Sequence, residues 1–474
     1  MCVIICGEWE FIYHRTGGKI MGNTTQRPLW QKILIILLGG LLLGFLWRLR
    51  GSRGWGSEAG VFNVGFVYLL FITTVMGERK KLDLGWLSLT AMSFILTVPS
   101  WGTIVNQITG VIRESEVEGA EHFFRYISPV SGAFMMCCVG LGMAGIYAVL
   151  LGRGFSSHQW KVKDFLFVIG AFLVFDTVSK ASVSHWIVGL LQPEAVELFE
   201  EGLEIAGEEG SAYQVYMQHF ADISWGKKII GGRNYFSEIQ AVSAAIRALG
   251  AILATRFIVK DKVAAKVGAL VCGAFGISIT VSNLFFFFAN GGYRQLGAQY
   301  EGDFLYAWSC WEYFTGFIAG VIITAVLISL KKSEDIPEIA FSKLPEKPKK
   351  ILVFLAGFIG TVGVNLVRPV SRRFEDSSDA IYIIAIAVAV ILTAILIGLL
   401  TKKAGINAEK MGMEWLSRIL LPVFVGFMFL SYFFVASAEH RAIVEVFTLH
   451  NILVIISAVS VLVYSLVLLK KSKV

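Results

Sequence analysis

Three arginines and three glycines crowd into one stretch, Trp47-Arg48-Leu49-Arg50-Gly51-Ser52-Arg53-Gly54-Trp55-Gly56. A guanidinium presents a planar fork of donors matched to phosphate or carboxylate, and glycines let backbone N–H groups come close to a ligand. Two further stretches hold similar ingredients. One runs from Asn290 to Gly297 with Arg294 inside it and continues through Glu301 and Asp303 to Trp308. The other is Arg368-Pro369-Val370-Ser371-Arg372-Arg373-Phe374-Glu375-Asp376. These patterns point to an anionic ligand. The competing reading is that Arg and Trp anchor helix ends in a lipid headgroup layer.

Other polar residues interrupt strongly apolar runs. Arg48, Arg50, Arg53, Arg247, Asn283, Arg294 and Arg368 form the expected anion- or substrate-binding set. His185 and Glu312 are the candidates for catalytic acid or base, because burial tunes either group. Asp176 and Lys180 stand one helical turn apart and are expected to pair, as a structural or a coupling element. Glu238 and Gln240 also fall within an apolar run. Gln240, Ser243 and Arg247 share a helical face, as do Thr280 with Asn283, and Trp308 with Glu312 and Thr315. The histidines lack metal-ligand spacing, and the six cysteines form no Cys-x-x-Cys pair, so neither a metal nor a cofactor is expected. P-loop, dinucleotide, His-Glu-x-x-His and Gly-x-Ser-x-Gly motifs are missing from the sequence, which removes support for ATP-driven transport and zinc proteolysis.

The elements that must position these residues are apolar. Hydrophobic residues make up 55% of the chain, gathered into runs that approach the roughly 20 residues needed to cross hydrocarbon. Backbone groups in lipid must be satisfied within the segment, so the runs read as helices and the fold class as all-α, a polytopic bundle of about 12 spans. The runs are Ile33–Trp47, Val61–Met76, Leu84–Val98, Ser131–Gly152, Asp164–Leu190, Glu238–Val259, Ala264–Ala289, Phe304–Leu330, Ile351–Val367, Ala380–Leu400, Trp415–Val435 and Leu449–Leu469. Lys and Arg recur in alternate connections, at 78–81, 153–163, 260–266, 331–350, 402–403 and 470–473. That alternation places both termini in the cytoplasm.

The chain then divides into a cytoplasmic segment 1–32, a membrane region 33–330 with eight spans, a charged linker 331–350 and a membrane region 351–474 with four spans. Acidic outer loops are expected at 113–125 and 193–222. No cleavable leader is read in the first residues, and Met21 is an alternative start. The net charge of +7 reflects the cytoplasmic basic bias, so nucleic acid is not an expected partner. Membrane lipids are, in what reads as a bacterial plasma membrane; the oligomeric state stays open.

Most intramembrane polar residues fall in the outer half, over cytoplasmic halves nearly free of charge, which predicts an outward-facing, Arg-rich cavity. One reading is a membrane-embedded transferase acting on an anionic or lipid-linked substrate. Its architecture resembles that of multi-span bacterial glycan polymerases and ligases, which also gather arginines outside, though no motif carries the likeness. The other is a secondary transporter of a small anionic solute, with Asp176, Lys180 and Arg247 coupling near mid-depth. A non-catalytic membrane scaffold is the third.

Overall fold

A computed structural model describes residues 28–51, 58–76, 104–114, 117–289, 291–294, 305–330, 421–430 and 448–471, with short pieces at 90, 93–94, 378, 380–385, 387–388, 391 and 432. Most of the runs at 84–98, 351–367 and 380–400 lie outside the described residues, as do Arg53 and Arg368.

The chain is predominantly helical. Among the described residues, seven helices are long and apolar enough to cross a membrane, and their composition fits an all-α membrane bundle. In chain order the elements are α1 (Leu29–Gly51) and α2 (Glu58–Met76), a 3-10 turn (Ile104–Thr109), the strands β1 (Val111–Arg113) and β2 (Phe124–Tyr126), and α3 (Pro129–Arg153). Then come α4 (Val162–Leu191), α5 (Pro193–Ala206), α6 (Ala212–Gln218), α7 (Gly232–Ile258), α8 (Lys262–Ala289), α9 (Ala307–Ser329) and α10 (Leu449–Lys471). The apolar segment of α2, Gly60–Val75, and the helix Leu421–Leu430 are shorter.

Neither acidic connection is featureless. In the first, β1 and β2 pair antiparallel, Val111 opposite Tyr126 and Arg113 opposite Phe124. Residues 193–218 form α5 and α6. The first of these buries Ala195, Leu198, Phe199 and Leu203 and leaves Glu197, Glu200 and Glu204 exposed, so its acidic face is the solvated side of an amphipathic helix.

Six long helices pack as a continuous row: α4 on α7, α7 on α3, α3 on α8, α8 on α9 and α9 on α1, with α10 and α2 against α1. Glycines set the closest of these contacts. Gly40 and Gly44 of α1 face Gly316 and Gly320 of α9 across an antiparallel crossing. A Cβ on Gly316 would sit 2.3 Å from the Leu43 carbonyl oxygen, and one on Gly320 would sit 2.5 Å from that of Gly39. Small residues four apart on both helices allow backbones to approach when no hydrophobic effect drives helices together in lipid. The crossing also fixes register. Each turn forward along α1 meets one turn back along α9, so one turn beyond Gly44, Arg48 stands opposite Glu312.

Candidate functional site

At the end of the bundle shared by Gly51, Ala289 and Ala307, Arg48 Nη1 donates to Glu312 Oε2 at 2.8 Å, and Arg50 Nη2 lies 3.8 Å from Glu312 Oε1. The carboxylate is thus shared by two guanidiniums, all three groups being nearly inaccessible to solvent. Arg50 also lies over the Trp47 ring, 4.6 Å from its centroid. Trp47 is packed in turn against Phe94 and Phe275, with Tyr147 stacked on Phe94. Residues that the sequence places far apart, at the ends of α1 and α9, are therefore joined.

Asn283 ends the first segment of α8. It is wholly buried, and neither its Oδ1 nor its Nδ2 has a hydrogen-bond partner among the described residues. One turn further on, Phe286 meets Trp308 and Trp311 of α9 at centroid distances of 4.8 and 5.8 Å. The Thr315 hydroxyl, Trp47 Nε1 and Arg48 Nε are likewise buried without a hydrogen-bond partner among the described residues. Such groups are rare in folded proteins, because each one costs about 1–3 kcal/mol. Trp47 and Arg48 adjoin on α1 at the ion pair, and Thr315 lies one helical turn along α9 from Glu312.

The second charge cluster lies where α4 meets α7. Lys180 Nζ donates to Asp176 Oδ2 at 2.7 Å within one helix, and Arg247 Nη1 lies 3.4 Å from Oδ1. Ser243 Oγ donates to Asp176, and Ser179 and Ser243 are 2.6 Å apart. The pair expected between Asp176 and Lys180 is present, and Arg247, also expected near mid-depth, joins it. Gln240, expected on the same face, points instead to the Ala221 carbonyl.

Residues Ser179–Val183 form a π-helical turn, and the Lys180 carbonyl accepts from His185 Nε2 at 2.7 Å. A carbonyl only accepts, so Nε2 carries the hydrogen and Nδ1 accepts from Tyr235 Oη at 2.8 Å. Tyr213, Tyr216 and Tyr235 surround the ring. Burial, and next the Asp176 carboxylate, push the Tyr216 phenol above its ordinary range. Both ring nitrogens of His185 are thus engaged in this conformation.

Arg294, the remaining member of the expected binding set that is described, stacks over Tyr126 of β2 at 4.8 Å and over Tyr293 at 5.1 Å. Among the described residues no hydrogen bond or ion pair joins it to Arg48, Arg50 or Glu312. The described members of the expected set therefore fall into separate groupings, with Arg48 and Arg50 at Glu312, Arg247 at Asp176, and Arg294 over Tyr126 and Tyr293. Sequence reasoning placed Glu238 in an apolar run without assigning it a role, and it passed over Gln107, Gln192, Trp47 and Thr315 as site residues. The paired Gly-x-x-x-Gly spacings at Gly40 and Gly316 were the signal that could have aligned α1 with α9.

No protein-family model matches the chain, and the comparisons with curated proteins and with solved structures likewise return no significant match.

Proposed function

We propose that the chain is an integral membrane protein, with both termini cytoplasmic, that binds the anionic head of a lipid-linked or similar substrate where α1, α8 and α9 end on the outer side. The membrane-embedded transferase remains the favoured activity for such a site. One observation carries this reading: Arg48, Arg50 and Glu312 share a buried ion pair, and Arg48 Nε, the neighbouring Trp47 Nε1 and the Thr315 hydroxyl one turn along α9 from Glu312 are buried without a hydrogen-bond partner among the described residues. Charge inside a membrane costs on the order of 3 kcal/mol per group, so it persists where it pairs, faces a wet cavity or performs a function. Glu312 holds the guanidiniums in place in the absence of ligand, and a phosphate would compete for the same donors.

The transporter reading would place its coupling residues at Asp176, Lys180 and Arg247, where the Asp176 carboxylate pairs with both cations. The test is retention of polyprenyl phosphate by the purified full chain in neutral detergent, measured by native mass spectrometry beside the uncharged polyprenol and inorganic phosphate. Wild-type protein is expected to retain the lipid phosphate. Arg48→Gln is expected to weaken retention roughly tenfold or more, the scale of one lost charge-assisted hydrogen bond at about 1.5–3 kcal/mol, with partial recovery in Arg48→Lys. Equal retention of polyprenol and polyprenyl phosphate would remove the anion site. Preference for inorganic phosphate would favour the transporter.

A further inference from the structure

Glu238, in the first third of α7, is wholly buried and makes no ion pair among the described residues. Its carboxyl closes a ring with two carboxamides. One end of Gln107, from the 3-10 turn, lies 2.7 Å from Glu238 Oε1, and the other end lies 2.7 Å from an end of Gln192, between α4 and α5. The opposite end of Gln192 lies 2.5 and 2.9 Å from the two Glu238 oxygens, while the Ser131 hydroxyl is 3.0 Å from the Gln192 end that faces Gln107.

A carboxamide carries oxygen at one end and NH2 at the other, and where two of them meet, one must offer nitrogen and the other oxygen. Suppose Gln107 turns its nitrogen to Glu238. Its oxygen then faces Gln192, which supplies nitrogen there and leaves its own oxygen against the carboxyl. Suppose instead that both amides are reversed. Gln192 then donates to Glu238, and the Gln107 oxygen faces the carboxyl. In both settings one amide confronts Glu238 with oxygen. Two oxygens at this separation need a hydrogen between them. An ionised carboxylate only accepts, whereas a carboxylic acid donates once and still accepts, which satisfies the ring in either setting.

We propose that Glu238, closed in by Gln107, Gln192 and Ser131, is a proton-binding site whose carboxyl is held as the neutral acid in the folded protein. The charged and titratable groups that act on it are Glu194 of α5, a like charge, and Tyr235 of its own helix. A contact as short as 2.5 Å leaves no room in line for a metal ion, whose own oxygen ligands stand about 2.0–2.6 Å away. Moving the proton from one amide to the other requires both amides to rotate. The site is independent of the reading given to Arg48 and Glu312.

The test is infrared difference spectroscopy of the full chain in sodium-free lipid nanodiscs, comparing wild type with Glu238→Gln. Gln mimics the acid, with one donating and one accepting end, so the variant is expected to fold and to lack one protonated-carboxyl C=O band that shifts in heavy water. Identical spectra in that region would overturn the proposal, as would a wild-type band abolished by added sodium. Should Glu238→Gln fail to fold, Gln192→Leu supplies a second readout: loss of a hydrogen-bonding neighbour is expected to shift the wild-type band, and an unshifted band would overturn the proposal. A folded state that binds the proton more tightly than the unfolded chain loses stability as pH rises. Thermal stability is therefore expected to fall with rising pH in wild type more steeply than in Glu238→Gln, and equal slopes would overturn the proposal.

Discussion

Glu312 takes its character from sharing. A carboxylate held by Arg48 and within 3.8 Å of Arg50 is an anchor for cations before it is an acid or base. Removing one member of a buried ion pair costs about 3–5 kcal/mol, whereas replacing both members with apolar residues is often neutral. Glu312→Met is therefore expected to destabilise the protein by about that amount in denaturant titration, and Arg48→Met/Glu312→Met to recover part of the loss. Additive losses would show that the two side chains do not interact. At the other cluster, Asp176→Asn is expected to cost more than Lys180→Met, because Asp176 is paired with both Lys180 and Arg247. The Asp176–Lys180 pair was legible in the sequence, since four residues of helix bring side chains onto one face whatever the tertiary fold. The Arg48–Glu312 pair was not, because nothing local states which helix α1 packs against. The two residues were singled out in different roles, Arg48 for an anion and Glu312 as an acid or base.

Helix pairing is where the missing information sits. The Gly40/Gly44 and Gly316/Gly320 spacings are visible in the sequence, but their mutual register is a property of the packed pair. Gly316→Ala would drive a Cβ to 2.3 Å from the Leu43 carbonyl oxygen, and such overpacking typically costs about 1–3 kcal/mol. Gly170→Ala and Gly273→Ala, where an added Cβ meets nothing within 4 Å, are expected to leave stability unchanged or raise it by about 0.5–1 kcal/mol, since Ala is the better helix former. Thermal denaturation of the three variants checks the contrast, which disappears if α1 and α9 do not meet through glycine. The spans at α3, α4, α7, α8 and α9 agree with the apolar runs read from the sequence to within six residues at each end, because hydrophobic length is a one-dimensional property. The π turn in α4 left no such trace. No glycine or proline marks Ser179–Val183, and the turn shows only in the folded backbone, where the Ser184 N–H donates to the Ser179 carbonyl.

Across the molecule, the two charge clusters are separated by α3 and α8 in the row of helices. Asp176→Asn and Glu312→Met are accordingly expected to be additive in stability to within about 0.5 kcal/mol, as distant sites usually are. Helix α4 closes one end of the row and exposes Leu166, Phe167, Leu173, Val174 and Leu190, a surface suited to lipid acyl chains. A lipid-soluble quencher is expected to reach a fluorophore at Leu173 and not one at buried Ala148. The account rests above all on what fills the space beside Arg48. The direct measurement is an experimental density map of the full chain purified with its native lipids. Non-protein density within hydrogen-bonding distance of Arg48 Nε, Thr315 Oγ1 and the Asn283 carboxamide is the predicted result. A dry, closed contact, in which Asn283 and Thr315 bond to each other and nothing else approaches Arg48, would contradict it.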